Sequence, residues 1–326
     1  MKPISRIDNS TNQLLYRGMN VSELCVNYSY EDILHLLLKG NLPSKKEVRD
    51  MCQVLIDFRI FYQENVTTLE DLAKSLDSIR EENKFSLQDT LLVFVSLVPL
   101  VVANKLGEIK NQKIEKPIDL LQHAANFLWM VSGATPNDTD SFDFQTSLIL
   151  HMDDPLNPSL TALNKSFLKG QSLSDTLLSA LSAHVEPLHH GAGTEAMRMF
   201  EEIRNIENPR NYLIERLDSG RKIFGLGHRI YTAKDPRAII LSGILKRRVM
   251  NTSNDWLLEV IEKVTKVGYT ILKERKGIEA YPNVDLYNAA VYLTFGFPPE
   301  FNTDLFAISR AAGWVSHLNE LHSHQI

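Results

Sequence analysis

The spacing of the apolar residues is the feature that most constrains how this chain of 326 residues can fold. Segment after segment repeats apolar side chains every three or four residues, the spacing that lines one face of an α-helix. No segment alternates apolar and polar residues for long enough to build a β-sheet. We therefore predict an all-α fold, in which a short hairpin or irregular arm over residues 7–16 is the exception.

Helix-boundary signals support this prediction at several positions. Ser29 precedes a segment with one apolar face, and Gly40 stands where that helix should end. Ser44 and Glu47 have the spacing of a capping box at the start of the next helix. Further helices are predicted over residues 86–103, 117–131, 142–151, 174–183 and 257–271, with a final helix from residue 303.

Charge and hydropathy argue against two classes of partner. The chain has 35 basic and 40 acidic side chains, a net charge of −5, and so lacks the positive excess typical of nucleic-acid-binding proteins. The longest apolar run, residues 91–103, is too short to cross a bilayer and predicts a buried core helix kinked at Pro99. We expect no nucleic-acid partner and no membrane association.

Two features bear on the cellular compartment. The only cysteines are Cys25 and Cys52, each in an apolar helical context, which favours buried free thiols in a reducing compartment over a disulfide framework. The N-terminal segment has no apolar stretch of signal-peptide length. We therefore expect a cytoplasmic protein.

Polar and glycine residues concentrate in the stretch FGLGHRIYTAKDPR, residues 224–237. Gly225 and Gly227 predict a backbone turn in conformations that favour glycine, and the imidazole of His228 would project from that turn. The third glycine of a dinucleotide-binding fingerprint is missing. A glycine turn without a binding role is the simpler alternative.

The same stretch ends in a helix start. Asp235 can cap a helix whose first residue is Pro236, since proline has the φ angle of a first helical turn. Arg237 would then lie at the helix start, where a guanidinium can bind a carboxylate through two hydrogen bonds. An exposed arginine without a ligand is the alternative.

Three other stretches carry polar residues that a helical core does not need. They are residues 151–157, residues 186–193 and residues 281–285. In the last of these, Asp285 immediately precedes an apolar helix, so it could be an ordinary N-cap. Taken alone, each stretch has a structural interpretation.

Two catalytic chemistries are weakly supported by these residues. A metal site could use His184, His189 and His190, but adjacent histidines do not easily converge on one ion, and no helical HExxH spacing or CxxC pair is present. A Ser-His-Asp hydrolase would need a serine on a G-x-S-x-G turn, which the sequence lacks.

The order of four motifs is a more specific indication of function than any of the single residues. PLHHGAGTEA, GLGHRIYTAKDPRA, YPNVDLYNAAVYLTFGFPP and LFAISRAAGW resemble the successive signatures of the citrate synthase family, and the resemblance extends over nearly the whole chain. The segments LLYRG and YEDILHLLLKGNLPSKKEV are similar to the family's N-terminal part. The resemblance implies an all-α homodimer, with a large domain (residues 1–189 and 291–326) and a smaller one (residues 190–290) that closes over the substrates.

The resemblance also implies an acyltransferase. The family condenses acetyl-CoA with oxaloacetate, and relatives use propionyl-CoA. His189 matches the histidine that hydrogen-bonds the thioester carbonyl, His228 the histidine that polarises the keto acid, and Asp285 the catalytic base. An aspartate can remove a weakly acidic thioester α-proton only if the developing enolate oxygen is stabilised, which explains the need for a histidine there.

Further residues follow from the same resemblance. Arg237 and Arg310 match arginines that hold substrate carboxylates, and Asp154 stands at a substrate-contact position. Coenzyme A is expected at the glycine turn, at Gly225, Leu226 and Gly227. The acyl-CoA is a co-substrate, and we expect neither a tightly bound cofactor nor a metal. For the dimer interface we predict the small-residue helix over residues 174–183.

Departures from the family pattern support a second hypothesis. Asp154 replaces a substrate-binding histidine, Glu186 and His190 replace glycines, and Thr232 replaces a lysine. An arginine that relatives carry beyond the last helix is also expected to be missing. The alternative to an enzyme is therefore a catalytically impaired paralogue that acts as a binding or regulatory dimer. The choice between acetyl-CoA and propionyl-CoA stays open.

Overall fold

A computed structural model describes residues 2–64, 67–186, 191–227 and 234–324. Helix accounts for 67% of the described residues, which form fifteen α-helices, and this confirms the all-α prediction. Three short strands form one sheet in the order β1-β2-β3, and the arm predicted over residues 7–16 falls on the first two.

The elements have the following bounds in chain order. The strands are β1 Ser5–Asp8, β2 Gln13–Tyr16 and β3 Met19–Asn20. The first nine helices are α1 Val21–Asn27, α2 Tyr30–Lys39, α3 Lys45–Phe61, α4 Leu69–Asn83, α5 Leu87–Lys110, α6 His123–Ser132, α7 Asp138–Ile149, α8 Pro158–Leu168 and α9 Leu173–His184. The others are α10 Ala192–Ile203, α11 Arg210–Asp218, α12 Pro236–Val249, α13 Trp256–Lys276, α14 Asn288–Leu293 and α15 Asn302–Ser323, with short 3₁₀ turns at Val284–Leu286 and Pro299–Phe301.

The predicted caps explain why several helices begin and end where they do. The Ser29 side chain accepts from the backbone of Asp32, whose carboxylate accepts from the Ser29 backbone, so α2 starts with a capping box. Gly40 ends that helix in the left-handed conformation, at φ 86°. Ser44 and Glu47 form the predicted box at the start of α3.

Other boundaries differ from the prediction because side chains and tertiary contacts decide them. α5 continues past Ala103 to Lys110, where Asn111 ends it in the left-handed conformation. α6 begins only at His123, since the Asn126 side chain donates to the carbonyl groups of residues 118 and 121 and so holds the preceding segment as a loop. The helix predicted from residue 142 already begins at Asp138, since Asn137 caps it.

Helix α5 is a core helix, as its apolar run predicts. It is long and apolar enough to cross a membrane by length and composition, yet every residue from Thr90 to Ala103 is buried inside the protein. Cys25 is a buried free thiol as predicted, whereas the prediction of burial for Cys52 was wrong. Cys52 is half-buried, since it follows Met51 on the amphipathic helix α3.

The chain divides into two compact units. The first contains residues 1–6, 15–186 and 304–326, and the second contains residues 7–14 and 187–303. The predicted division into a large domain and a smaller, closing domain stays a prediction. In the first unit, α9 packs on α8 and α4. In the second unit, α10, α12 and α14 surround the turn at Val284–Leu286.

Candidate functional site

The glycine turn lies against the segment that carries Asp285. The backbone N–H of Gly227 donates to the carbonyl of Tyr281 at 2.8 Å, and the N–H of Asn283 donates to the carbonyl of Gly225 at 2.9 Å. The Asn283 side chain also donates to the carbonyl of Gly227, at 2.7 Å. These bonds flank an antiparallel bridge between Leu226 and Pro282. The two motifs, 56 residues apart in sequence, therefore form one structural element.

Glycine is required at both turn positions, as predicted. Gly225 and Gly227 have φ angles of 80° and 83°, in the region that side chains with a Cβ rarely adopt. At Gly225 a Cβ would also lie 2.7 Å from the Cα of Leu286. The close approach brings the turn against the residue next to Asp285.

Asp285 is not the helix cap that its position also allowed. Asn283 caps the short 3₁₀ turn, and its side chain accepts from the Asp285 backbone N–H at 2.9 Å. Within the described residues, no hydrogen-bond partner is found for the Asp285 carboxylate. Burial raises its pKa from 3.8 to about 6; Arg237 opposes this shift and Asp235 adds to it. A carboxylate with such a pKa can accept a proton near neutral pH.

Arg237 lies at the start of α12, as predicted, and is buried. Asp235 caps this helix, accepting from the Arg237 backbone, and also accepts from the guanidinium through Nε at 3.1 Å and Nη2 at 2.9 Å. A bidentate contact with a carboxylate was predicted for this arginine. The Nε–Nη2 edge of its guanidinium makes such a contact within the protein, with Asp235. A substrate contact of Arg237 stays a prediction.

The two predicted catalytic histidines, His189 and His228, lie outside the described residues. The metal alternative is untested for the same reason, since His189 and His190 belong to it. The same holds for the departure at Thr232. Of the three predicted catalytic residues, the structure therefore describes only Asp285.

Arg310 lies on α15 in the first unit. It is buried, and only 2% of its surface is exposed. Among the described residues, no hydrogen-bond partner is found for its Nε and Nη1 atoms. A buried guanidinium with unsatisfied donors is costly for a protein unless a ligand completes it. The geometry is suited to receiving an anion such as a carboxylate.

The turn after α7 carries the other predicted substrate position. Asp154 is half-buried, and its carboxylate accepts from the backbone N–H of Leu156 at 3.1 Å. His151, at the start of the turn, is fully buried and its Nδ1 lies 2.7 Å from the carbonyl of Ser147. The Asp154 carboxylate thus stabilises the turn that leads into α8.

Two features, one in each unit, were missed by reasoning from the sequence. The first is the ion pair between Asp235 and Arg237; the second is the buried cluster in which Asp153 contacts His317 on α15. A signal for the second was present, because His317 follows Arg310 by seven residues, which is two turns of one helix face. The identity of the carboxylate that His317 contacts depends on the tertiary structure.

Each unit contains a sizeable cavity among its described residues. One of about 450 Å³ is in the second unit, next to the segment of Asp285, and Asp235, Tyr269, Tyr281 and Tyr287 contribute to its lining. A second of about 540 Å³ lies in the first unit, around residues 104–117, and none of the predicted site residues lines it. The first is large enough to admit part of a small-molecule ligand.

Comparison with known proteins bears on this arrangement. The family model described as "Citrate synthase, C-terminal domain" matches residues 2–326. A citrate synthase from Haloferax volcanii is 30% identical over 343 aligned residues, which cover 97% of this chain and 88% of that protein. A citrate/2-methylcitrate synthase from Bacillus subtilis is 26% identical, and the alignment covers 98% of this chain and 89% of that protein.

A solved structure is similar over the full chain. It is the ternary complex of carboxymethyl coenzyme A and oxaloacetate with citrate synthase from the thermophilic archaeon Thermoplasma acidophilum. The similarity has a TM-score of 0.86 at 26% identity and covers 100% of this chain and 90% of that one. The match in fold therefore includes both compact units.

Proposed function

The chain belongs to the citrate synthase family, and from this premise we propose that it condenses the acyl group of an acyl-CoA with oxaloacetate. The proposal depends above all on the environment of the Asp285 carboxyl. Desolvation raises its pKa to about 6, and no hydrogen bond to the described residues competes for its lone pairs. It is suited to removing the α-proton of a thioester, and we assign it the role of general base.

The remaining chemistry needs two hydrogen-bond donors. We assign His189 to the thioester carbonyl, where it stabilises the enol oxygen, and His228 to the ketone of oxaloacetate, where it protonates the alkoxide that forms. The enol carbon attacks the ketone carbon, and water then hydrolyses the thioester to release coenzyme A. The resemblance of the motifs around both histidines supports these roles.

We assign the carboxylates of oxaloacetate to Arg310 and Arg237. The unsatisfied donors of the buried Arg310 side chain support the first assignment. For the coenzyme we propose the turn at Gly225, Leu226 and Gly227, where glycine permits close approach of a ligand to the backbone. No other cofactor is part of the proposal.

Propionyl-CoA is a second candidate substrate, since the relative from Bacillus subtilis is named citrate/2-methylcitrate synthase. We further propose a homodimer in the cytoplasm. The buried free thiol of Cys25 is compatible with a reducing compartment.

The release of free thiol from acetyl-CoA or propionyl-CoA in the presence of oxaloacetate tests the proposal. Replacing Asp285 by Asn should lower kcat by roughly 10²–10⁴-fold, because an amide cannot take the proton. Wild-type turnover no higher than that of Asp285→Asn with either thioester would contradict the enzyme and favour the alternative of a binding or regulatory paralogue.

A further inference from the structure

Asp153 forms the centre of a buried polar cluster in the first unit. Its Oδ2 accepts from the Ser5 hydroxyl at 2.5 Å and lies 2.9 Å from Nε2 of His317. Asp153 is 1% exposed and Ser5 6% exposed, so water screens the Asp153 carboxylate only weakly. The backbone N–H of Asp153 donates to the Tyr16 hydroxyl at 3.0 Å, which fixes the residue itself.

Helix α15 presents one face to this cluster. Arg310, Gly313 and His317 occupy that face, since they are separated by three and four residues. At Gly313 the contact is so close that a Cβ would lie 2.7 Å from Oδ1 of Asp153. Hydrogen bonds therefore hold the carboxylate at Oδ2, while α15 closely approaches Oδ1, for which no hydrogen-bond partner is found among the described residues.

The charge of Asp153 acts on Arg310 without a hydrogen bond between them. Burial alone would raise the pKa of Asp153, but the charges of His317 and Arg310, with the hydrogen bonds from His317 and Ser5, hold it below 3.8. Neither a hydrogen bond nor an ion pair joins Asp153 to Arg310, whose Nε and Nη1 find no partner in the part of the chain that the structure describes. The carboxylate thus compensates the buried cation and leaves its donors open.

We propose that His317 is a positioning residue that holds Asp153 away from Arg310, so that the donors of Arg310 stay available to a carboxylate of the substrate. Without His317, Oδ2 of Asp153 would lose a donor in a buried site, and the unsatisfied N–H groups of Arg310 are the available replacement. The substrate would then compete with an internal acid. The inference rests on the proposed function only in taking oxaloacetate as the ligand.

Calorimetric binding of oxaloacetate to the full chain tests the inference. His317→Leu should weaken binding by about tenfold, because the internal ion pair must break before the substrate can bind. His317→Gln should bind as the wild type does, since its amide can still donate to Asp153. His322→Leu is the matched control: this second histidine of α15 packs on Phe167, not on Asp153, and its loss should leave the affinity unchanged.

The double variant Asp153→Asn/His317→Leu separates positioning from structural support. An amide in place of the acid removes the competitor, so the double variant should regain affinity to within about twofold of the wild type. A double variant as weak as His317→Leu would overturn the inference, as would equal losses in His317→Leu and His322→Leu. Wild-type binding without thiol release would contradict the proposed condensation alone, whereas a wild type that binds no oxaloacetate would contradict both. Far-ultraviolet circular dichroism of each variant checks the fold.

Discussion

At the scale of one residue, the ionisation of Asp285 affects both its proposed role as a base and the stability of the fold. Burial raises its pKa from 3.8 to about 6, so the folded chain holds a proton between these pH values that the unfolded chain has lost. Stability contributed by this residue therefore falls as the pH rises from 3.8 to 6, and at pH 7 the folded state bears the full cost of the desolvated charge. We expect Asp285→Asn to stabilise the protein by about 1–3 kcal/mol at pH 7 and to change nothing near pH 3.

Urea unfolding of both proteins at the two pH values measures this difference. Asp285→Ala is the control, because it also removes the charge but leaves a cavity. A loss of stability in Asp285→Asn at pH 7 would show that the carboxylate makes a favourable contact. In the wild type, kcat/KM should fall about tenfold per pH unit below pH 6, since the base is protonated there.

Asp154 is the second residue whose charge can be tested directly. Its carboxylate accepts from the backbone of Leu156, so the residue has a structural role besides the one predicted from the family position. An acid near an anionic substrate costs affinity, and we expect Asp154→His to bind oxaloacetate about ten to a hundredfold more tightly. Calorimetry at constant ionic strength measures the effect. Asp154→Asn can keep the hydrogen bond from Leu156, so it should gain only the part of the affinity increase that comes from removing the charge. Unchanged binding in both variants would place Asp154 outside the substrate site.

At the scale of elements, two glycines inside helices should respond in opposite directions to the same substitution. A Cβ at Gly313 of α15 would lie 2.7 Å from Asp153, whereas a Cβ at Gly243 of α12 would meet no atom within 4 Å. Gly243→Ala should stabilise the protein by about 0.5–1 kcal/mol, because alanine favours helix. Gly313→Ala should destabilise it by about 1–3 kcal/mol through overpacking. Denaturant midpoints measure both, and equal shifts would mean that α15 does not depend on this contact.

At the scale of the whole molecule, the proposed homodimer can be tested on α9. Its buried face packs within its own unit, while Asp175, Ser179 and Ser182 line a partly exposed face of small and polar residues. Small side chains permit close approach of a second helix, so a long charged side chain at Ser182 should separate the subunits. Sedimentation velocity at micromolar concentration should give a dimer for the wild type and a monomer for Ser182→Arg. The control Asn83→Arg, at the end of α4, should stay dimeric.

The elements of this fold follow largely from the sequence, because the forces that form them act over three or four residues. The apolar faces predicted the helices, and capping residues such as Ser29 and Asp235 predicted where helices start. The glycine turn was predicted in the same way, from the φ angles that only glycine readily adopts. Boundaries were less accurate where a distant side chain decides them, as Asn126 does for the loop before α6.

The properties of the candidate site depend on contacts between residues far apart in the chain. The sequence contains Asp153, Ser5 and His317, but the contacts of Asp153 with the other two span 148 and 164 positions, and no local pattern predicts such pairs. Likewise, the position of Asp285 allowed a helix cap, but the structure gives that role to Asn283, and desolvation by the surrounding protein raises the pKa of the Asp285 carboxyl. Local sequence determined which side chains this protein offers for chemistry; tertiary packing alone decided which are buried, which are paired and which keep a free donor, because desolvation and charge act through space.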